Sequence, residues 1–473
     1  MLTSFRIPPY ASEVTDNADG ATRILAEFVA GAPAGVASAR AVDVLKHAVL
    51  DLTGCVVAGA DETAGRLAAD YAVASGAAGA AALIGAGRGR VSPALAGLAN
   101  GTAGHALDFD DIGIGVGHVS VAILPGVLAL AEHVGADGST FLDALVLGYE
   151  LASRLTSMYP DTRLGPYAAG YHKPGVYAAL GGAAACGRLL GLNAHSIASA
   201  VGIAASQAGG LRANFGTMTK PLHAGVANRT AVESALLAAS GFTASTEILE
   251  QRFGWHDVLC RGEGDLSRIV TDLGDGFAVE EGLVFKAYPC CGANHHAIGA
   301  LLGLLADEGV DPADVDSVDV EIEARNLSEV LVYDWPRSPL EGKFCLAYNV
   351  AAALIDRAVT VDTFTDAALE RLTAHRDRIR VHAVTNLPQH GARVSVRLRD
   401  GRTLDREQLT LRGSLADPMS TDELVTKFRG CVAGHLADGR LDADGVEDFL
   451  TRVTTLEKQP DLRPLTEPLL ATR

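Results

Sequence analysis

The hydrophobic period of the sequence changes near residue 270, and this change constrains the fold more than any other feature. Before that point, apolar residues recur at helical spacing over 22–60, 93–104, 121–157, 176–190, 194–208 and 224–240. After it, residues 315–324, 379–384 and 392–398 alternate between apolar and polar, which indicates strands, and Asp400-Gly401 predicts a hairpin. Helical character returns at Ser420-Thr421-Asp422-Glu423, a capping-box pattern that opens a helix.

This order predicts a mainly α protein. Both chain ends are expected to build a large all-helical domain, residues 1–270 and 413–473, with a smaller α+β lid domain, residues 271–412, inserted between them. A chain of 473 residues also exceeds the usual limit for one hydrophobic core, which favours two domains.

Composition excludes several classes of protein. Hydrophobic residues make up 48% of the chain and charged residues 20%, which is typical of compact globular proteins. A net charge of −18 argues against nucleic acid as a partner, so an anionic ligand would need a local basic cluster. No apolar run reaches the roughly 20 residues of a membrane span. Residues Met1–Asp19 lack the pattern of a signal peptide, so we expect a cytoplasmic protein with reduced cysteines.

The richest chemistry in the sequence lies at His105-Ala106-Leu107-Asp108-Phe109-Asp110-Asp111, followed by His118. Three carboxylates and two imidazoles in one short segment can hold a proton donor beside a proton acceptor, because like charges separate carboxylate pKa values and histidine titrates near neutrality. The alternative is a loop whose acidic residues cap helices and face water. The segment is therefore a candidate acid/base centre.

Three later segments add cations, imidazoles and thiols. His172 precedes an Ala/Gly-rich helix, Lys220 is the only charged side chain in 214–222, and residues 285–296 contain Lys286, Cys290 and Cys291. Lys220 is either an exposed turn residue or a carboxylate ligand, and each cysteine is equally compatible with burial as a small hydrophobe. The run Glu341-Gly342-Lys343-Phe344 is interpreted as structural.

The spacing of cysteine and histidine does not suggest a metal centre, and the common nucleotide, zinc-peptidase and serine-hydrolase motifs are absent from the sequence. We therefore expect no metal and no organic cofactor.

In combination, these segments resemble the MmgE/PrpD family. The resemblance rests on residues 105–111, the glycine-rich stretch from His172 to Leu192, residues 216–223 and residues 286–292, in family order, with Lys343-Phe344 and Lys427-Phe428 also in place. The family includes 2-methylcitrate dehydratase, cis-aconitate decarboxylase and iminodisuccinate epimerase, which act on small polycarboxylates without a required metal or organic cofactor. The resemblance implies a helical domain with a lid, a homodimer, and an active site in the cleft between the domains.

Carried over residue by residue, the resemblance implies that Asp108, His118 and His172 are catalytic, with His118 or His172 protonating a departing hydroxyl. Lys220 and Lys286 are expected to bind substrate, as is Cys291, which stands where the decarboxylase branch has a histidine.

A second departure is Ile112, where many members have threonine. Both departures remove polar contacts, which disfavours decarboxylation of cis-aconitate. From the resemblance we expect a lyase that dehydrates a 2-hydroxy acid similar to 2-methylcitrate. An epimerase or a decarboxylase of a small di- or tricarboxylate is the alternative on the same scaffold.

Two other classes of function compete with this interpretation. An aspartate-rich motif in a helical region could bind magnesium and a diphosphate, but such enzymes need a second metal-binding motif, which the sequence lacks. A catalytically inactive family member could serve as a binding protein, but the retained lysines and acid/base residues argue against it.

Overall fold

The computed structural model describes residues 20–76, 78–388 and 391–472. Residues Met1–Asp19, on which the signal-peptide argument rests, lie outside the described residues.

The larger apolar core is helical and is built from both parts of the chain that flank the sheet region. The helices before the sheet region are α1 (Ala21–Gly31), α2 (Ala39–Gly59), α3 (Thr63–Ala74), α4 (Pro93–Ala106), α5 (Val119–Val134), α6 (Gly138–Thr156), α7 (Ala179–Leu189), α8 (Ala194–Ala205), α9 (Thr219–Ala239) and α10 (Trp255–Leu259). All contribute to the larger core except α3, whose buried alanines belong to a separate small apolar cluster with Leu83 and Val91. The helices after the sheet region are α16 (Thr421–Ala437), α17 (Ala443–Thr454) and α18 (Arg463–Thr466).

Two central helices of this core bring distant motifs together. The start of α9 carries Lys220, and α9 packs closely along α4, which ends just before Asp108. The close approach depends on Gly225, because a Cβ atom there would lie 2.3 Å from the carbonyl oxygen of Leu98. The α4–α9 crossing therefore sets the distance between Lys220 and the 105–111 motif.

A second, smaller core contains the sheet region and extends from Cys290 to Leu398. Its helices are α11 (His295–Asp307), α12 (Ala324–Glu329), α13 (Pro339–Gly342), α14 (Leu346–Asp356) and α15 (Asp366–Thr373). Its sheet has the order β6-β5-β7-β8, with β5 (Val315–Glu323), β6 (Ile379–Val384), β7 (Ala392–Leu398) and β8 (Thr403–Gln408).

The sheet and the C-terminal helix confirm the predicted elements. Strand β5 pairs in parallel with β6 and antiparallel with β7, and β7 continues through the Asp400-Gly401 turn into antiparallel β8. Ser420 and Glu423 form the expected capping box at the start of α16. Helix α16 packs against α2, so the C-terminal segment returns to the helical core. The protein is mainly α, as predicted, while the domain boundaries at residues 270 and 412 remain predictions.

Short strands complete the structure around the site. β1 (Ala81–Ala82) pairs with β2 (Arg90–Val91), and β3 (Ile112–Gly113) pairs with β4 (Leu283–Val284). The second pair draws the chain that leads to Lys286 against the chain that follows Asp111. Among the described residues, the helices are all too short or too polar to cross a membrane.

Candidate active site

Asp108 occupies a strained backbone position at the end of α4. The helix closes at Ala106, and Asp108 has a φ angle of +52° in the left-handed region. Glycine is the usual residue just after a helix end, because other L-residues pay about 1–2 kcal/mol for this conformation. Strain of this kind is found where the side chain is needed for function. The strained position makes the Asp108 carboxylate a candidate functional group.

Two ammonium groups meet at one oxygen of Asp108. The Nζ atom of Lys220 lies 3.0 Å from Oδ1, and the Nζ atom of Lys286 lies 2.8 Å from the same oxygen. Asp108 is only 2% exposed, Lys220 4% and Lys286 1%. The second carboxylate oxygen, Oδ2, is buried and has no hydrogen-bond partner among the described residues. The sequence motifs around Asp108, Lys220 and Lys286 thus converge on one carboxylate.

His118 completes this group through a second carboxylate. Its Nδ1 atom lies 2.8 Å from Oδ2 of Asp110, and its Nε2 atom lies 3.5 Å from Oδ1 of Asp108. Because an ionised carboxylate only accepts hydrogen bonds, Nδ1 carries the proton and donates it to Asp110. The lone pair of the neutral ring is therefore on Nε2, facing Asp108. Asp110 also accepts a hydrogen bond from Nδ1 of His105, at 2.8 Å.

His172 lies beside the rings of His105 and His118 rather than against Asp108 itself. Its ring centroid is 6.4 Å from that of His118 and 5.8 Å from that of His105, on which it stacks. Its Nδ1 atom lies 3.2 Å from Nδ1 of His223, so one ring donates and the other accepts. Gly210 makes room for this pair, because a Cβ atom there would lie 2.9 Å from the His223 ring.

Ile112, a departure from the family pattern, lies close to the turn that contains Cys291, another such departure. A Cβ atom on Gly292 would lie 3.1 Å from Cδ1 of Ile112, so Ile112 packs against the turn that contains Cys291. Burial raises the pKa of the Cys291 thiol, and the negative charge of Asp108 raises it further. A neutral thiol and an aliphatic side chain thus form a weakly polar wall near the lysine pair.

The carboxylates of the motif differ in charge state. Burial alone would raise the pKa of Asp108, but the ammonium groups of Lys220 and Lys286 hold it well below its usual range. Burial likewise opposes ionisation of Asp110, but His105 and His118 hold its pKa well below the usual range. Burial raises the pKa of Asp111 to about 8, so Asp111 is mainly protonated at neutral pH.

The imidazoles are neutral in the free protein. Burial lowers the pKa of His118 to about 3, although the charge of Asp110 opposes the shift. Burial and the charge of Lys220 hold the pKa of His172 well below its usual range. The expectation that His118 or His172 protonates a departing hydroxyl stays a prediction, and these lowered pKa values mean that the donor must first take up a proton during the reaction.

Two family models match most of this chain. The MmgE/PrpD N-terminal domain family matches residues 23–266, and the MmgE/PrpD C-terminal domain family matches residues 288–448. The chain belongs to the MmgE/PrpD family. Human cis-aconitate decarboxylase is 29% identical over 391 residues, which cover 80% of this chain and 79% of that protein. Cis-aconitate decarboxylase of Aspergillus terreus is 28% identical over 421 residues, which cover 83% and 84%.

One group in this MmgE/PrpD protein has the donor types of a metal site. Single ligand atoms of His105, Asp108, Asp110 and His118 lie within 4.8 Å of one another. Both oxygens of Asp110 already accept hydrogen bonds from imidazoles, and Oδ1 of Asp108 is shared by two ammonium groups. A metal cation bound here would lie beside two positive charges, which would repel it. The donor set therefore does not favour a metal, and the expected absence of one remains a prediction.

The structure brings most of the sequence-predicted site residues together. Asp108, His118, Lys220 and Lys286 are in direct contact, His172 lies beside His118, and Cys291 lies on the neighbouring turn. Their catalytic and substrate-binding roles remain proposals.

Sequence reasoning did not select His105, Asp110 or His223, although each lies inside a motif it had singled out. The density of charged residues identified the motif in the sequence. Only the folded turn shows that Asp110 accepts hydrogen bonds from both His105 and His118.

Proposed function

We propose that this protein is a cofactor-independent lyase that acts on a small polycarboxylate, at a carbon next to a carboxylate group. The observation that supports it most strongly is the meeting of Lys220, Lys286 and His118 at the ionised Asp108 carboxylate. Removing a proton beside a carboxylate creates an enolate-like anion, so such a reaction needs fixed cations and a base.

The local charge suits an anionic substrate. Two ammonium groups lie at Oδ1 of Asp108, in a protein with a net charge of −18, and together they offset the charges of Asp108 and the nearby Asp110. A substrate carboxylate can share these ammonium groups, and the unpartnered Oδ2 of Asp108 can accept a hydrogen bond from a substrate hydroxyl. The lysines are therefore proposed as the ligands that hold the substrate and stabilise developing charge.

For dehydration, neutral His118 fits the role of the first base. Its Nε2 atom takes the proton from the carbon next to the carboxylate, while Asp110 holds the ring and stabilises the resulting positive charge. The electron pair of the broken carbon–hydrogen bond forms the double bond, and the carbon–oxygen bond breaks. The proton now on His118 passes to the departing hydroxyl, which leaves as water. We propose that His172 and its hydrogen-bond partner His223 orient the substrate on the side of the site away from Asp108.

Decarboxylation is the second candidate, and the relatives favour it, since the human and Aspergillus terreus proteins described above are cis-aconitate decarboxylases. In that reaction a carbon–carbon bond breaks, carbon dioxide leaves and a proton must be added to carbon. The aliphatic Ile112 and the weakly polar Cys291, which replace polar side chains of relatives, support dehydration instead. An epimerase would remove the same proton and return a proton to the opposite face of the carbon, with no carbon–oxygen bond broken.

A product analysis separates these candidates. Purified protein is incubated with 2-methylcitrate, citrate or cis-aconitate, the products are followed by proton NMR, and carbon dioxide is trapped. We expect an unsaturated tricarboxylate from 2-methylcitrate. Carbon dioxide from cis-aconitate, with no dehydration, would favour the decarboxylase. Saturable binding with no turnover of any acid would contradict the lyase proposal and favour an inactive binding protein.

The resemblance also leads us to propose a cytoplasmic homodimer. Sedimentation equilibrium tests the assembly, because a monomer of 48.9 kDa and its dimer differ twofold in mass. A concentration-independent monomer would contradict it.

A further inference from the structure

Three consecutive backbone carbonyls that follow α4 each accept a hydrogen bond from a different buried lysine. The negative end of a helix attracts cations, but the usual case is one exposed side chain rather than three buried ones. The donors come from three separate parts of the chain. Leu107 O accepts from Lys343 at 2.9 Å, Asp108 O from Lys286 at 2.8 Å, and Phe109 O from Lys427 at 2.7 Å.

We propose that Lys343 and Lys427 are positioning residues that hold the carbonyls on either side of Asp108. They thereby keep Asp108 in its left-handed conformation, with its carboxylate between Lys220 and Lys286. The inference rests on the proposed function for its catalytic consequence, while its structural consequence can be measured without a substrate.

Lys343 connects the smaller core to this segment. Its Nζ atom also donates to the carbonyl oxygen of Pro289, at 3.1 Å, and lies 4.2 Å from the centre of the Phe364 ring. Its own carbonyl oxygen accepts hydrogen bonds from the Cys291 amide and the Asn294 side chain, both at 3.0 Å. One residue therefore ties the turn beside Lys286 to the turn that carries Asp108.

The ammonium group of Lys343, which makes these contacts, is a buried positive charge. Lys343 is 3% exposed, and no carboxylate of the described residues pairs with it. A buried ammonium group without a carboxylate is costly, and its hydrogen bonds to carbonyl oxygens are what compensate it. A residue that only fills space would not require a buried positive charge.

Lys427 holds the other side from the helical core. Its Nζ atom lies 2.6 Å from Oδ1 of Asp51 and 3.8 Å from the centre of the Phe109 ring. Because Asp51 is on α2 and Lys427 on α16, this contact belongs to the larger core. Asp108 is thus held between a lysine of each core.

These lysine contacts make the geometry of Asp108 depend on the position of the smaller core relative to the larger one. If the smaller core, residues 290–398, moved away, the hydrogen bond from Lys343 to the Leu107 carbonyl would break, because Lys343 lies within that part of the chain. The Asp108 side chain is buried in the structure, so a substrate requires some opening of this kind. When the smaller core returned, the hydrogen bond from Lys343 would form again and restore the position of Asp108.

The test compares Lys343→Met with Lys458→Met, the same substitution at an exposed lysine. Hydrogen exchange of peptides that cover residues 105–112 reports on the segment itself. We expect at least about tenfold faster exchange in Lys343→Met, with exchange in α5 and α9 unchanged, and no change in Lys458→Met. Unchanged exchange at 105–112 in a folded Lys343→Met protein would overturn the proposal.

Kinetics with the acid that wild type turns over provide the second readout. A misplaced catalytic group costs up to about 100-fold in rate, so kcat should fall roughly 10- to 100-fold in Lys343→Met while KM changes less than about threefold. Lys343→Arg, which keeps a donor, should recover part of kcat. An equal loss in Lys343→Arg and Lys343→Met would overturn the positioning role. If no acid is turned over, the proposed function fails but the exchange result still decides the proposal.

Lys343→Gln repeats both measurements if Lys343→Met does not fold. If neither variant folds, Lys343 is required for the fold as a whole, and that result also overturns the proposal.

Discussion

Lys286 bonds both to the backbone and to the side chain of Asp108. Its Nζ atom lies 2.8 Å from the carbonyl oxygen and 2.8 Å from Oδ1 of that residue. Burial of Lys286 disfavours its charge, but the charges of Asp108 and Asp110 and the hydrogen bond to Asp108 together outweigh burial and raise the pKa of Lys286. A cation that is held this firmly can bind a substrate carboxylate without having to be reorganised first.

Lys220 should tolerate only substitutions that keep its charge. We expect Lys220→Ala to lose about 100- to 1,000-fold in kcat/KM, the usual cost of removing one group that stabilises developing charge. Lys220→Arg should lose less, because it keeps the charge in a different shape. Steady-state kinetics with circular dichroism check both variants. Unchanged kinetics in a folded Lys220→Ala protein would remove Lys220 from the site.

Asp110 should matter much more than its neighbour Asp111. Asp110→Asn removes the carboxylate that orients His118, and we expect kcat to fall by about two to four orders of magnitude, as for other histidine–carboxylate pairs. Asp111→Asn is the matched control, because burial keeps Asp111 mainly protonated, with a pKa of about 8. Kinetics at pH 7 compare the two. Similar losses in both variants would contradict the assigned role of Asp110.

The elements and motifs of the site could be predicted from sequence, but its contacts could not. Helix spacing and the capping box at Ser420 depend on neighbouring residues, so a local pattern reveals them. The pairing of Asp110 with His105 and His118 depends on a turn between residues 111 and 118 that no periodic pattern describes.

Lys343 shows the same limit most clearly. Its run was interpreted as structural, because a single lysine beside an apolar helix gives no sign of the carbonyl groups it will contact. The Leu107 oxygen that it binds is 236 positions away in the chain.

The buried histidines should make the protein sensitive to mild acid. Burial lowers the pKa of His223 to about 4, against about 6.5 for an unfolded chain, so the unfolded state takes up the proton first as pH falls. The contribution of His223 to stability is complete above about pH 6.5 and is lost towards pH 4, at up to ~1.4 kcal/mol per pH unit. Asp111, whose pKa is raised, acts with the opposite sign over pH 4–8.

Comparing the free energy of unfolding of a His223 variant with that of wild type isolates the contribution of His223 to the pH dependence of stability. The free energy of unfolding of His223→Asn, relative to wild type, should rise as pH falls from 6.5 to 4.5, while exposed His195→Asn should follow wild type. Urea unfolding at several pH values measures both. A His223→Asn difference that does not vary with pH would refute the argument.

Ile112 should shape the choice of substrate. An aliphatic wall cannot satisfy a substrate oxygen, and an unpaired buried oxygen costs about 1–3 kcal/mol. Alkyl-substituted acids such as 2-methylcitrate should therefore exceed citrate by about tenfold or more in kcat/KM. Ile112→Thr should narrow that ratio, whereas Ile112→Val should preserve it. Equal use of citrate by wild type would show that Ile112 does not face the substrate.

Solvent hydrogen exchange tests most directly whether this site moves a proton at carbon without a metal. The protein is dialysed against a strong chelator and incubated in D2O with 2-methylcitrate, and NMR follows deuterium at the carbon next to the carboxylate as well as formation of the double bond. The account predicts product formation and deuterium incorporation that survive chelation and are lost in His118→Gln. Loss of both signals after chelation, with recovery on adding iron or magnesium, would contradict it.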